Sequence, residues 1–390
     1  MRPDAFALER FFSRTEFTAR HLLATSDCEG LSLDELLDRA EPDLLDRWRH
    51  LRLGYTESEG SAELRGEIAG LYETVRDREV LVAVPEEAIF LFMNALLDEG
   101  DHVVCTFPGY QSLYQLAVSI GCSVSAWEPS EGAARWHFDP DSLRKLVRHD
   151  TKLVVWNFPH NPTGALPSED EFHAMLEMAG SVGAWVFSDE MYRLLETSLD
   201  ARLPAAVDLY PRAISLGGMS KVFGLAGLRI GWLAAHDEAL LTLCKTIKDY
   251  TTICSSAPSE LLALMALRSR AALLERHHRR LLNNIEAATE FFSRQQDLLT
   301  WVPPEGGTVC FPRVLHSAGA AIPSESRLDK SLDAGAEAFC TRALEDAGVL
   351  LLPSTVYGFG DSHFRLGLGR SDFKTGLDAL ETYLRSTRAD

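Results

Sequence analysis

The chain has 390 residues, enough for two or three domains and a large core. It is 46% hydrophobic and 24% charged, an ordinary globular composition. A formal net charge of −19 repels phosphate backbones and acidic lipid surfaces, so neither nucleic acid nor a membrane is an expected partner.

In chain order, residues 1–50 read as amphipathic helix with a polar break at "ATSDCEG". "SLDELLDRA" opens with a serine followed three residues later by a glutamate, a capping-box pattern. "GYTESEG" (54–60) reads as a loop, and helical period returns in "SAELRGEIAGLYETV". From about residue 80, short apolar runs alternate with helical segments. The strand candidates are "EVLVAV", "DHVVCTF", "SVSAWEP", "TKLVVWNF", "AWVFSDE", "AISLGG" and "IGWLAA". That alternation predicts an α/β fold with a parallel sheet covered on both faces, whose ligands sit beyond the strand carboxyl ends. After about 258 one long amphipathic helix is expected, followed by a smaller α+β unit ending in the helix "DFKTGLDALETYLRS". The Ser/Ala/Gly-rich stretch around 315–333 reads as a mobile loop.

The seven cysteines are odd in number and scattered, without a CxxC pair, and read as reduced thiols of a cytoplasmic protein. The first residues lack the long apolar run of a secretory signal, and no stretch of about 20 apolar residues offers a membrane span. "RHHRR" (276–280) places adjacent histidines on different helix faces and reads as a solvated surface rather than a metal site.

Four segments at or beyond strand ends carry the chemistry. "NFPHNPTG" (157–164) places Asn157 and Asn161 in one turn. "SDEMYR" ends a strand at Asp189, with Tyr192 three residues on. "GGMSKVFGLAGLR" holds Ser220, Lys221 and Arg229 in a run of small and apolar residues. The chain has only 7 lysines against 31 arginines, so Lys221 is not part of a general lysine coat. Tyr110 in "FPGYQSLY" follows the strand "HVVCTF".

The ordered set — NPTG, Asp-x-x-Tyr, Ser-Lys with an arginine eight residues beyond, then a late arginine — resembles fold type I pyridoxal-phosphate (PLP) enzymes of the class I/II, aspartate aminotransferase-like superfamily. The resemblance covers roughly Gly54 to Arg370. It implies a large domain (51–275) with a mainly parallel seven-stranded sheet between helices. A small C-terminal domain (276–390) and an N-terminal segment (1–50) joining it complete the implied architecture. Lys221 is implied to form the internal aldimine and then to move the proton between Cα and C4′ of the cofactor. Asp189 is implied to pair with the ring nitrogen, since a buried carboxylate favours the pyridinium. Asn161 and Tyr192 are matched to the phenolic oxygen, and Tyr110 to the ring face. Arg229 and Ser220 are matched to the phosphate, with backbone N–H groups of Glu86 and Glu87 at a helix N-terminus. Arg365 is matched to the substrate α-carboxylate, with Arg370 as a weaker contender. Tyr55 is matched to the tyrosine that reaches a neighbouring subunit's phosphate, which implies a homodimer. The chain departs from the pattern at Val84-Pro85, where a small-residue turn is usual, and at Gly218, where a hydroxyl residue is usual.

The implied activity is transfer of an amino acid's α-amino group to a 2-oxo acid. Elimination or ring closure on an amino acid, as in capreomycidine- or enduracididine-synthase-like relatives, is the alternative. A nicotinamide-binding fold is disfavoured, because the glycines at 224, 227 and 231 do not make G-x-G-x-x-G.

Overall fold

The computed structural model of the chain describes residues 2–315 and 335–389. Apart from Leu315, the stretch expected to form a mobile loop lies outside the described residues. Seven strands form the central sheet: β1 (Val80–Ala83), β2 (His102–Thr106), β3 (Ser123–Trp127), β4 (Thr151–Asn157), β5 (Trp185–Asp189), β6 (Ala213–Gly218) and β7 (Gly231–Ala235). Their spatial order is β1-β7-β6-β5-β4-β2-β3. β2, β3, β4, β5 and β6 pair in parallel, whereas β7 runs antiparallel to both β1 and β6.

Both sheet faces are covered. Along β4, Val154 and Trp156 join one core while Leu153 and Val155 join the other. This is why the strands read as continuous apolar runs rather than as an alternation. The edge strand β3 is the exception, with exposed Ser123 and Ala126. Register sets the place of the site: Asn157 pairs with Asp189, and Asp189 with Leu216, so three neighbouring strands end together.

The N-terminal region is less helical than expected. It holds helix α1 (Ala7–Thr15), the short helices Leu33–Leu37 and Pro42–Arg49, and a two-residue strand, His21–Leu22, parallel to Val349–Leu350. The capping box at Ser32 and Glu35 is formed. Helix α2 (Pro85–Leu96) follows β1 directly. The single long helix expected after 258 is two, Ala257–Arg268 and α3 (Arg270–Arg294). They break at Ser269, whose hydroxyl bonds back to the Met265 carbonyl at 2.9 Å and competes with the helix ladder. The boundary expected at 275/276 falls inside α3.

The "RHHRR" reading is corrected by α3. His277 is buried against the loop that carries Lys221, close to Gly224, and burial depresses it to about 4. His278 Nε2 meets the Glu196 carbonyl at 3.0 Å. Only part of the run faces solvent, because the loop after β6 folds over the helix.

The C-terminal part builds a three-stranded antiparallel sheet from β8 (Val309–Cys310), β9 (Leu352–Pro353) and β10 (Phe364–Gly367), backed by Ala336–Ala347 and Phe373–Ala389. The chain around residues 23–29 lies flush on this sheet. Gly367 N donates to Leu23 O at 2.7 Å, and Glu29 N to Gly369 O at 3.0 Å. A Cβ at Gly367 would stand 1.9 Å from the Thr25 carbonyl, and one at Gly369 2.0 Å from that of Asp27. Glycine is the only residue these two positions accept.

Candidate active site

A cavity of about 400 Å³ opens at the carboxyl ends of β4, β5 and β6. Asn157 and Asn161 reach it from the turn after β4, Asp189 and Tyr192 from the end of β5, and Ser220 and Lys221 from the end of β6. Arg229, Tyr110, Glu86 and Arg365 complete the sequence-derived set on its walls.

Asp189 is 5% exposed, and its Oδ1 accepts from Met191 N at 3.1 Å. Burial drives its carboxyl up to about 7, with Glu190 and Glu86 adding to the rise and Lys221 opposing it. Asn157 ties two of these segments together: its Nδ2 donates to Asp189 O at 2.9 Å, and its Oδ1 accepts from Asn161 N at 2.8 Å. The Tyr192 hydroxyl is buried and meets no described residue at full hydrogen-bond geometry, with the Ser26 side chain beside it. Desolvation holds that phenol well above its ordinary range.

Lys221 Nζ donates to Ser26 Oγ at 3.0 Å. Desolvation lowers its ammonium pKa; Arg365 and Arg229 add to the fall, while Asp27 and Glu9 oppose it. Arg365 is 1% exposed, with Nε and Nη2 on the Ala24 carbonyl at 3.0 and 2.7 Å. Its Nη1 donates to Tyr357 Oη at 2.9 Å and to Asn161 Oδ1 at 3.3 Å, and the guanidinium lies over the Phe12 ring. None of these partners is an anion, so among the described residues a buried cation stands on the cavity wall without an ion-paired carboxylate.

Arg229 takes the left-handed conformation at φ 55°, a backbone cost of order ~1–3 kcal/mol for a non-glycine residue. Its Nη1 donates to Ala226 O at 3.1 Å, and its side chain lines the cavity. The two departures from the expected pattern meet in space: a Cβ at Gly218 would stand 3.1 Å from Pro85 Cγ and 3.0 Å from Met191 Cε. A side chain at 218 and a proline at 85 compete for one volume.

Three residues of the sequence-derived set do not line this chain's own cavity, although Glu87 is matched by its backbone N–H alone and Tyr55 to a neighbouring subunit. The Glu87 carboxylate turns to the Thr251 and Thr252 hydroxyls, outside the cavity. Arg370 does not reach the cavity wall, because its stretch packs on α3, where Asn284 Nδ2 holds its carbonyl at 2.8 Å. Tyr55 is 92% exposed and is not among the residues lining this chain's own cavity.

The sequence reading missed the wall supplied by the N-terminal region: Glu9, Phe12 and Glu16 on and just after α1, then Thr25, Ser26 and Asp27. Leu8, Phe12 and Glu16 recur at helical spacing, the one signal by which this wall could have been found. Burial, Asp27 and Glu9 together push the Glu16 carboxyl up. The Thr25 hydroxyl is buried without a hydrogen-bond partner among the described residues.

The residues present fit PLP. A buried carboxyl without a cationic partner suits a protonated ring nitrogen. An unpartnered buried phenol suits the phenolic oxygen, and a desolvated amine suits the aldehyde.

The family model for aminotransferase class I and II matches residues 22–375. The chain is 29% identical over 302 residues to capreomycidine synthase of Streptomyces vinaceus, covering 76% of this chain and 72% of that one. Among solved structures it resembles a PLP-dependent aminotransferase from Streptococcus suis, at TM-score 0.88 and 28% identity over 99% of both chains. It also resembles the PLP-dependent cyclase OrfR, at TM-score 0.87 and 31% identity over 99% of this chain and 98% of that one. The chain belongs to the aminotransferase class I and II family, enzymes of PLP fold type I with pyridoxal phosphate as cofactor.

Proposed function

We propose that the chain moves the α-amino group of an amino acid with a positively charged side chain to a 2-oxo acid. The observation that carries the substrate class is the acidic N-terminal wall. Glu9, Glu16 and Asp27 face the cavity; burial first, then repulsion from Asp27 and Glu9, raises the Glu16 carboxyl, with Lys221 and Arg370 opposing the rise. An ammonium or guanidinium entering between them would relieve that repulsion. The unpartnered Thr25 hydroxyl offers it one further acceptor.

When bound, PLP supplies an electron-withdrawing ring that acidifies the Cα–H of an amino acid joined to it. In this reading, Asp189 holds the proton on the ring nitrogen. Tyr192 and the Asn161 amide hydrogen-bond the phenolic oxygen, and Tyr110 covers one ring face. Arg229, Ser220 and the Glu86 N–H hold the phosphate. Arg365 takes the α-carboxylate, which supplies the anion its buried guanidinium lacks. Lys221 Nζ, its basicity lowered by desolvation, would accept the Cα proton and return it to the carbon on the other side of the amino nitrogen.

A second reading is elimination or ring closure on the same kind of substrate, favoured by the likeness to capreomycidine synthase and to the cyclase. Incubation of the holoenzyme with single amino acids decides. A 2-oxo acid, with the amine form of the cofactor left behind, supports transfer; a product formed while the cofactor stays in its aldehyde form supports the second reading. Under either reaction, a preference for acidic or aromatic amino acids overturns the cationic substrate.

We also propose a homodimer. Tyr55, Leu53, Tyr250 and Ile253 are exposed, and Thr56 Oγ1 joins their two segments through Ser255 O at 2.8 Å. A fully active monomer in analytical ultracentrifugation overturns this.

A further inference from the structure

The phosphate end of the cavity is short of donors. Pro85 opens α2 and has no N–H, and Gly218 has no hydroxyl. At the same place stands an acidic side chain. Glu86, second residue of α2, lines the cavity with Arg229. Its Oε1 accepts from the Ser112 hydroxyl. Among the described residues its Oε2 is buried and meets no donor at full hydrogen-bond geometry, with the Tyr110 hydroxyl the side chain beside the carboxyl. A buried carboxyl oxygen left unpaired is a group waiting for a ligand.

We propose that the Glu86 side chain is a phosphate ligand, acting as the neutral acid whose Oε2–H donates to a phosphate oxygen, so that cofactor binding takes up a proton at Glu86. An ionised carboxylate there would oppose the phosphate, whereas the acid replaces a donor missing at 85 or 218. The surroundings ease its protonation. Burial is the largest influence and raises the carboxyl; Ser112, Tyr110 and Arg229 oppose the rise, while Glu9, from α1, adds to it. Asp189, at the end of β5, is the other acid coupled to Glu86 across the cavity. The inference rests on the assignment of PLP to this cavity.

The test titrates the cofactor-stripped full chain with PLP, and separately with pyridoxal, which lacks the phosphate. Wild type, Glu86→Gln and Glu86→Ala are compared from pH 6 to 9. Proton uptake is read by calorimetry in buffers of different ionisation enthalpy. Wild type is expected to take up more protons on binding PLP than Glu86→Gln, whose amide donates without titrating. Its PLP affinity should fall with rising pH more steeply than that of Glu86→Gln. Glu86→Ala should lose about ten- to a hundredfold in PLP affinity, the range of one charge-assisted hydrogen bond, with pyridoxal affinity little changed. Equal proton uptake in wild type and Glu86→Gln overturns the proposal. So does PLP binding in Glu86→Ala that is as tight as in wild type or tighter, which would mark Glu86 as a repulsive group. Failure of wild type itself to bind PLP would instead remove the cofactor assignment.

Discussion

Replacing Arg365 with lysine keeps the charge and removes the geometry. The guanidinium spends Nε and Nη2 on the Ala24 carbonyl and Nη1 on Tyr357 and Asn161, and it does so fully buried. Its flat fork serves these acceptors while still presenting an edge to the cavity. An ammonium has three donors at one point and cannot serve the carbonyl, the Asn161–Tyr357 pair and a substrate carboxylate together. Either the carboxylate loses a charge-assisted bond of about 1.5–3 kcal/mol, or Ala24 O is orphaned at about 1–3 kcal/mol. The lost carboxylate bond, about 1.5–3 kcal/mol, corresponds to a roughly 10–10²-fold fall in kcat/KM, whereas an orphaned Ala24 O weakens the fold instead. The assay is steady-state turnover of the preferred amino acid, beside that of the primary amine that lacks its carboxylate. R365K should lose activity on the amino acid and keep it on the amine within a few-fold. Unchanged kcat/KM on the amino acid, or an equal fall on both, would refute the carboxylate role.

Lys221→Ala should retain no PLP after borohydride reduction and denaturation, whereas wild type keeps it covalently; retention by the variant removes Lys221 as the amine. Asp189 is an acid whose folded pKa, about 7, lies above its unfolded value, so the cofactor-free protein loses stability as pH rises from about 4 to 7. Cofactor-free Asp189→Asn should therefore melt higher than cofactor-free wild type at pH 8, by up to about 4 kcal/mol, with the gain vanishing towards pH 4; a pH-independent difference contradicts this. Gly218→Ser should destabilise the fold by about 1–3 kcal/mol in denaturant titrations, because its side chain meets Pro85 and Met191. Adding Pro85→Ala should recover part of the loss, and strictly additive effects would show that the two positions do not compete.

The chemistry was legible in the sequence because it sits on strand ends. Asp189 closes an apolar strand, Lys221 follows another, and Asn157 and Asn161 share the turn after a third, so short-range pattern placed them together. Arg365 was legible from the family resemblance instead, and it lies within β10, where all four residues are buried. What short-range pattern could not supply is distance along the chain. Glu9, Glu16 and Asp27 reach the cavity only because the N-terminal region lies across the C-terminal sheet, more than 300 residues away in sequence. Glu87 looks equivalent to Glu86 on paper, yet one helical step turns its side chain to Thr251 and Thr252. His277 looked solvated because nothing local shows that the Lys221 loop covers it.

The close seating of residues 25–27 on Gly367 and Gly369 fixes the N-terminal wall against the reaction centre, where Ser26 meets Lys221 and the Ala24 carbonyl holds Arg365. A chimera that imports residues 1–30 from a relative must therefore keep a hydroxyl at 26 and the backbone path through 24. It would succeed only where the host keeps both glycines, since any β-carbon there lifts the graft off its bed.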